Sequence, residues 1–374
     1  MKKTLLAVAV LGLFAGAAQA QSSVTIYGIA DAGINFDNGK SAAGKNWSLA
    51  SGQQSTSRIG FKGAEDLGGG LSAIFTLENG YSIDTGAAGN SFPNTATASG
   101  AGRLFGRQAW VGLKGAFGAV TMGRQYSPLY LDLLAFDPFE VNQAGNAQRV
   151  FGYGLYLIDP LSRVDNSIKY ASPTVAGFNG SIAYGFGEQA GAFSNKSTAM
   201  ADVGYTAGPL NVQLVYQRAF GVPLSFSATG GAPAFATDVA GFGVPGVTVA
   251  GASAPDIKTT FLGGSYDFGM VKASLAAADT KIELGTPSIK IRNYLVGVTA
   301  PVGVGSLYAS WNRNSFNVSN SKTNQYGVGY SHPLSKRTNL YSSFGFTKND
   351  SAVRLNSTLG GIDREFQAGV RHRF

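Results

Sequence analysis

Few side chains in this sequence carry the chemistry of an enzyme. Its two histidines are His332 and His372. His332 precedes Pro333 in a turn-like segment and His372 lies two residues before Phe374; neither is near a recognisable nucleophile motif. Cysteine is absent, which removes disulfides, thiol nucleophiles, zinc–cysteinate sites and iron–sulfur clusters. The Glu65-Asp66 pair falls in a tight turn, where solubilising and turn-forming roles are the default. Gly68-Gly69-Gly70 lacks the strand–loop–helix context and the lysine of a phosphate loop. No cofactor or metal motif emerges, and catalysis is not expected. What remains is fixed charge. Cations are scattered one or two per strand, without a basic helix or aromatic platform, which argues against nucleic acid as a partner. The carboxylates Asp132, Asp137, Glu140 and Asp159 gather in one long segment, 126–162.

Fixed charges need a frame, and the composition restricts what it can be. The chain has 374 residues, 13% of them charged, and 52 glycines. That is about half the usual charge content and roughly twice the usual glycine. Mean hydropathy is only +0.04 and the pI about 9.5. No apolar stretch reaches the ~18 residues of a spanning helix. At the start, Met1-Lys2-Lys3, the apolar run Leu5–Ala18 and Ala18-Gln19-Ala20 read as a secretory signal peptide cleaved after residue 20. The mature chain is then 21–374, and losing Lys2 and Lys3 lowers the formal charge from +8 to +6. Export is expected.

The mature chain alternates with period two instead of carrying helical stripes. Leu210, Val212, Leu214 and Tyr216 alternate with Asn211, Gln213 and Gln217. Ile362, Phe366, Ala368, Val370 and Phe374 alternate with Asp363, Glu365, Gln367, Arg371 and Arg373. Seven tight Gly/Pro/Asp connections interleave with eight longer polar ones, which makes sixteen strands joined alternately short and long. A soluble sandwich gives no reason for that asymmetry; an up-and-down membrane barrel does. The expected fold is all-β, a 16-stranded antiparallel transmembrane β-barrel with short periplasmic turns and long external loops. Closing the sheet pairs every backbone group, as lipid demands, and leaves an aqueous lumen. On the strand after residue 57, Ile59 and Phe61 mark the lipid face and leave Arg58 and Lys62 pointing inward.

Several segments are shared with a known family. They are Ser23-Val24-Thr25-Ile26-Tyr27-Gly28, Ser57-Arg58-Ile59-Gly60-Phe61-Lys62-Gly63, Glu65-Asp66-Leu67-Gly68-Gly69-Gly70-Leu71 and Phe105-Gly106-Arg107-Gln108-Ala109-Trp110-Val111-Gly112-Leu113. Gly123-Arg124-Gln125-Tyr126, Asn166-Ser167-Ile168-Lys169-Tyr170 and Arg371-His372-Arg373-Phe374 complete the set. Their order and spacing resemble the trimeric general-diffusion porins of Gram-negative outer membranes, most closely the β-proteobacterial group. The resemblance implies a third external loop, about 126–162, folded into the lumen as a constriction. It places Arg58, Arg107 and Arg163 in a basic cluster, with Lys62 nearby, and Asp137 and Glu140 on the opposing acidic loop. It also implies a homotrimer, and a Phe374 read by barrel-assembly machinery.

Arg107 shares its phase with Ala109, Val111 and Leu113, so its inward placement requires the loop to cover an apolar strip. Trp110, in the opposite phase, should then face outward at a subunit contact. Arg124, at the root of the loop, should brace structure or a subunit contact. The expected function is a water-filled channel for passive diffusion of small hydrophilic solutes and ions. Four named cations against two carboxylates predict a modest anion preference. The alternatives are a solute-specific channel, which wants a ladder of lumen aromatics, and a surface adhesin or receptor barrel using the 220–255 loop. A barrel enzyme would need a paired histidine and hydroxyl nucleophile at the outer rim.

Overall fold

The computed structural model describes residues 23–374 apart from 41–43, 89–102, 156–161, 223–254, 284–287, 318, 352 and 354–359. The signal segment 1–20, Asp159 and most of the 220–255 loop therefore lie outside the described residues. The chain begins with β1 (Ser23–Asn38), β2 (Asn46–Ser51), β3 (Arg58–Gly68) and β4 (Leu71–Gly80). Next come β5 (Gln108–Gly115) and β6 (Gly118–Tyr126), then two short helices, α1 (Pro128–Phe136) and α2 (Gln148–Leu155). The wall resumes with β7 (Arg163–Ala171), β8 (Phe178–Gly185), β9 (Thr198–Ala207) and β10 (Leu210–Ala219). It continues through β11 (Asp256–Asp267), β12 (Lys272–Glu283), β13 (Ile289–Val302) and β14 (Gly305–Phe316). The last strands are β15 (Lys322–Pro333), β16 (Thr338–Asn349) and β17 (Ile362–Arg373).

Neighbouring strands pair antiparallel, and β17 returns to β1, with Ile29 opposite Arg373 and Asn38 opposite Arg364. β1 also pairs with both β2, through Ala32–Asp37, and β3, through Ser23–Ile29. β2 and β3 are thus two halves of one wall strand, and the sheet is a closed 16-stranded barrel. The interruption at 52–57 has a visible cause. Gly52 takes φ +67°, and the segment turns into the lumen onto Asp31. The Asp31 carboxylate accepts N–H bonds from Gln54 and Ser55 (2.9 and 2.6 Å) and the Tyr341 hydroxyl at 2.6 Å.

Alternation sorts the two faces. On β13, Ile291, Asn293 and Leu295 are buried while Arg292, Tyr294 and Val296 are exposed on the outside. Outward apolar groups such as Val24, Val111 and Leu275 remain 60% exposed or more, as a lipid-facing surface requires. Inside, the segment between β6 and β7 crosses the lumen. Ser127 caps α1 by accepting the Tyr130 N–H at 3.1 Å, and Pro128 at the first turn supplies a ready helical φ. Leu129, Leu133 and Phe136 of α1, with Val141 and Phe151, bury against Val215, Phe261, Ala278 and Leu295 of β10–β13.

Polar wall groups fix the rest of the loop. Ser310 Oγ and Asn312 Nδ2 donate to the Gly145 carbonyl at 2.8 and 3.1 Å. Asn293 and Asn314 both donate to the Val150 carbonyl, at 3.2 and 2.8 Å. Arg149 forms a two-pronged ion pair with Glu365 of β17. Inward glycines make room for this contact. A Cβ on Gly345 would meet the Ala144 carbonyl oxygen at 2.3 Å, and one on Gly327 would meet the Gly145 Cα at 2.5 Å.

Candidate pore constriction

On the wall facing the loop, Glu78 of β4 and Tyr126 at the end of β6 gather the arginines. Arg107 Nε donates to Glu78 Oε1 at 2.7 Å and its Nη2 donates to the Tyr126 hydroxyl at 2.6 Å. Arg163, the first residue of β7, donates to the same hydroxyl at 3.2 Å and lies 4.8 Å above the Tyr126 ring. Arg58 Nη1 sits 4.0 Å from Glu78 Oε2, and its Nε donates to the Thr56 carbonyl at 2.9 Å. The Tyr27 hydroxyl donates to Glu78 Oε2 at 2.9 Å. Tyr130 stacks on Tyr126 with ring centroids 4.8 Å apart, extending the aromatic floor beneath Arg163. Planar guanidiniums suit such stacking, and they stay charged at every relevant pH.

The exposure of these groups differs. Arg107 and Arg163 are each 4% exposed and act as framework as much as lumen charge. Arg58 keeps 21% of its side chain exposed. Lys62 shares its lumen face, is exposed, and lies 5.4 Å from the Tyr27 ring.

The acidic side differs from expectation. Asp137 is 3% exposed and does not line the lumen. Its carboxylate accepts N–H bonds from Phe139 (3.1 Å), Val141 (3.0 Å) and Ala147 (2.8 Å), closing the loop on itself. Burial pushes this carboxyl up to about 7, against the pull of the three donors. The physical reason for the correction is the backbone it must hold. Glu140 and Val141 adopt φ +49° and +53°, costly for non-glycine residues and most of all for β-branched Val141. Glu140 does face water, with 58% of its side chain exposed and Oε2 3.8 Å from Arg371 Nη1. Burial, with the Asp202 charge adding to it, pushes Asp132 of α1 up to about 7 as well.

Arg107 precedes β5 instead of lying within it, so the phase carried forward from it fails. Trp110 pairs with Thr76, two positions from the Glu78–Gln108 pair, and therefore shares the lumen face with Glu78. Val111 and Leu113, 60% and 44% exposed, take the lipid face instead. Arg124 braces the root of the loop, donating to the Gly106 carbonyl at 2.6 Å and pairing with Asp165 at 2.6 Å. Glu78 was not singled out from the sequence, although Phe75 and Leu77 in the opposite phase mark it as inward. Tyr126 carried no signal beyond its place at the loop root.

A model of the Gram-negative porin family matches residues 7–352. Outer membrane porin protein 32 of Delftia acidovorans is 34% identical, with both chains covered in full. An outer membrane porin protein of Bordetella pertussis is 33% identical, again over the whole of both chains. Among solved structures, an anion-selective porin from Comamonas acidovorans superposes with a TM-score of 0.76 at 31% identity, covering 95% of this chain and 100% of that one. With its closed barrel, lipid-facing exterior and lumen-folded third loop, this chain belongs to the Gram-negative porin family and is a multi-pass barrel of the outer membrane.

Proposed function

We propose that this porin passes small hydrophilic solutes and ions by passive diffusion with a modest preference for anions, and has no enzymatic activity. The observation that carries the selectivity is the charge balance across the narrowing. Arg58 and Arg107 converge on one carboxylate, Glu78, and Arg163 joins Arg107 at the Tyr126 hydroxyl, while of the two loop acids expected opposite only Glu140 meets water. A net positive wall raises the local concentration of anions and lowers that of cations. Held in a water-poor frame, the same charges make a transverse field in which a dipolar solute can align. The family likeness supports this, since one structural relative is described as anion-selective. The same likeness supports a homotrimer, and Phe374 as the mark that barrel-assembly machinery reads. Reconstitution into a planar bilayer under a KCl gradient tests the reading. Stepwise conductance with an anion-selective reversal potential is expected; absence of steps, or a cation-selective potential, overturns it.

A further inference from the structure

Below the arginine hub, toward the short turns, the lumen wall of β3–β7 changes character. Thr25, Lys62, Thr76 and Trp110 form one cross-strand row on the lumen face. Trp110 pairs onward with Gly123, and Gly112 follows it on the same face of β5, so two of its neighbours have no side chain. Its Nε1 donates to Gln108 Oε1 at 3.1 Å, which orients the indole. The side chain is half-buried, and its bare flanks leave a ring face open to a flat solute.

Three lysines surround this ring. Lys62 stands two strands away in the same row, about 10 Å at the usual strand spacing. Lys114 lies four residues along β5, about 13 Å away. Lys169 is two strands over and one lumen row nearer the turns, about 12 Å away. None of the three forms an ion pair among the described residues. The lumen carboxylates around them are engaged elsewhere: Glu78 by Arg58 and Arg107, Asp202 by the Ser181 hydroxyl, and Asp66 by the Gly68 N–H at 2.9 Å. Ammonium groups around an open indole select on two properties at once. The cations attract an anion, and the indole favours a solute with a ring face of its own.

We infer that this shelf is a transient binding site for aromatic carboxylates of the benzoate class. The solute's ring stacks on Trp110, and its carboxylate is met by the lysines, whose long flexible stems close on it. An aliphatic acid satisfies only the lysines, and a neutral arene only the indole. The inference rests on the channel function proposed above and adds a solute class that chloride selectivity does not report.

The test measures block of chloride current through the full protein in a planar bilayer at about 0.1 M KCl. Benzoate is compared with cyclohexanecarboxylate, equal in charge and similar in size but without an aromatic face. Benzoate should half-block the current at about one fifth of the concentration that cyclohexanecarboxylate needs, the gain of one aromatic pair. W110A should bring the two acids together, and W110F, which keeps a ring face, should retain a preference for benzoate. K62Q/K114Q/K169Q should weaken both acids roughly fivefold, the sum of three screened unit charges, and leave their ratio in place. Equal block by the two acids in the native protein overturns the inference. So does an undiminished benzoate preference in W110A, or an unweakened block in the triple lysine variant. The KCl reversal potential, taken in the same bilayers, keeps the two readings apart. An anion-selective channel that treats the acids alike refutes the aromatic site alone. A cation-selective channel that still prefers benzoate refutes the proposed selectivity alone.

Discussion

Glu78→Gln is the sharpest probe of the constriction. The hub holds three guanidiniums and one carboxylate, so the substitution raises its net charge by one unit without changing its shape. Arg107 keeps its bond to Tyr126, and the amide oxygen of glutamine can still accept from Nε. For an ion passing about 7 Å away in water, one unit charge is worth about 0.6 kcal/mol. Screening over a Debye length of ~10 Å at 0.1 M salt halves that to about 0.3 kcal/mol. The effect has opposite signs for anion and cation, so the permeability ratio should move by about 0.6 kcal/mol, roughly threefold toward anions. The low dielectric of the wall makes that a lower bound. The assay is the reversal potential under a roughly tenfold KCl gradient, with the barrel checked by circular dichroism. An unchanged ratio in a folded barrel, or a shift toward cations, would refute the idea that Glu78 moderates the arginine field.

Neutralising Arg58, Arg107 and Arg163 together with glutamine should move selectivity toward cations; an unchanged reversal potential would put the filter elsewhere. Glu140→Gln, which removes the same single charge, should shift it toward anions by roughly threefold on the same arithmetic. Asp137→Ala should act instead on the loop: three N–H donors lose their acceptor, at a cost of about 3 kcal/mol or more, read as protease cleavage within 128–155. A protected loop would contradict that role. Because burial raises Asp137 from 3.8 to about 7, the folded loop retains a proton that the unfolded loop gives up. Its stabilisation is therefore complete below about 4 and is lost as pH rises through 7, so protection should be greater at pH 4 than at pH 8; a flat or inverted profile sinks the assignment. Gly345→Leu drives a side chain into the Ala144 carbonyl, 2.3 Å from the new Cβ, and should push the loop into the lumen and lower single-channel conductance. Native conductance in that variant would mean that the loop does not rest on the wall there.

The barrel was legible because lipid and water impose opposite demands on alternate residues of every strand. Arg58 and Lys62 could be placed inward from Ile59 and Phe61 alone. The same rule applied to Phe75 and Leu77 would have found Glu78, whose pairing with Arg107 alters the charge count of the narrowing. Where a residue precedes its strand, periodicity fails: Arg107 reaches the lumen from outside β5, and the phase of Trp110, Val111 and Leu113 inverts. The loop was harder for a different reason. Its acids looked alike in sequence, yet Asp137 is consumed by three backbone donors while Glu140, three residues on, is left to water by a left-handed turn. No local pattern encodes that division, because it depends on wall residues such as Asn293, Ser310 and Asn314 more than 140 positions away.

The seam between β1 and β17 has a kinetic consequence. Asn38 meets Arg364 and Ile29 meets Arg373, so the contacts that close the cylinder join segments more than 320 residues apart. Every other pairing in the wall is between near neighbours in sequence and can zip progressively, while this one bears the largest loop-closure entropy of the molecule. Until it forms, a nearly complete sheet carries two raw edges, each a template for any other strand in reach. Closure is thus a late, all-or-none event, and a slowed seam would expose the chain to mispairing long before it altered the finished channel.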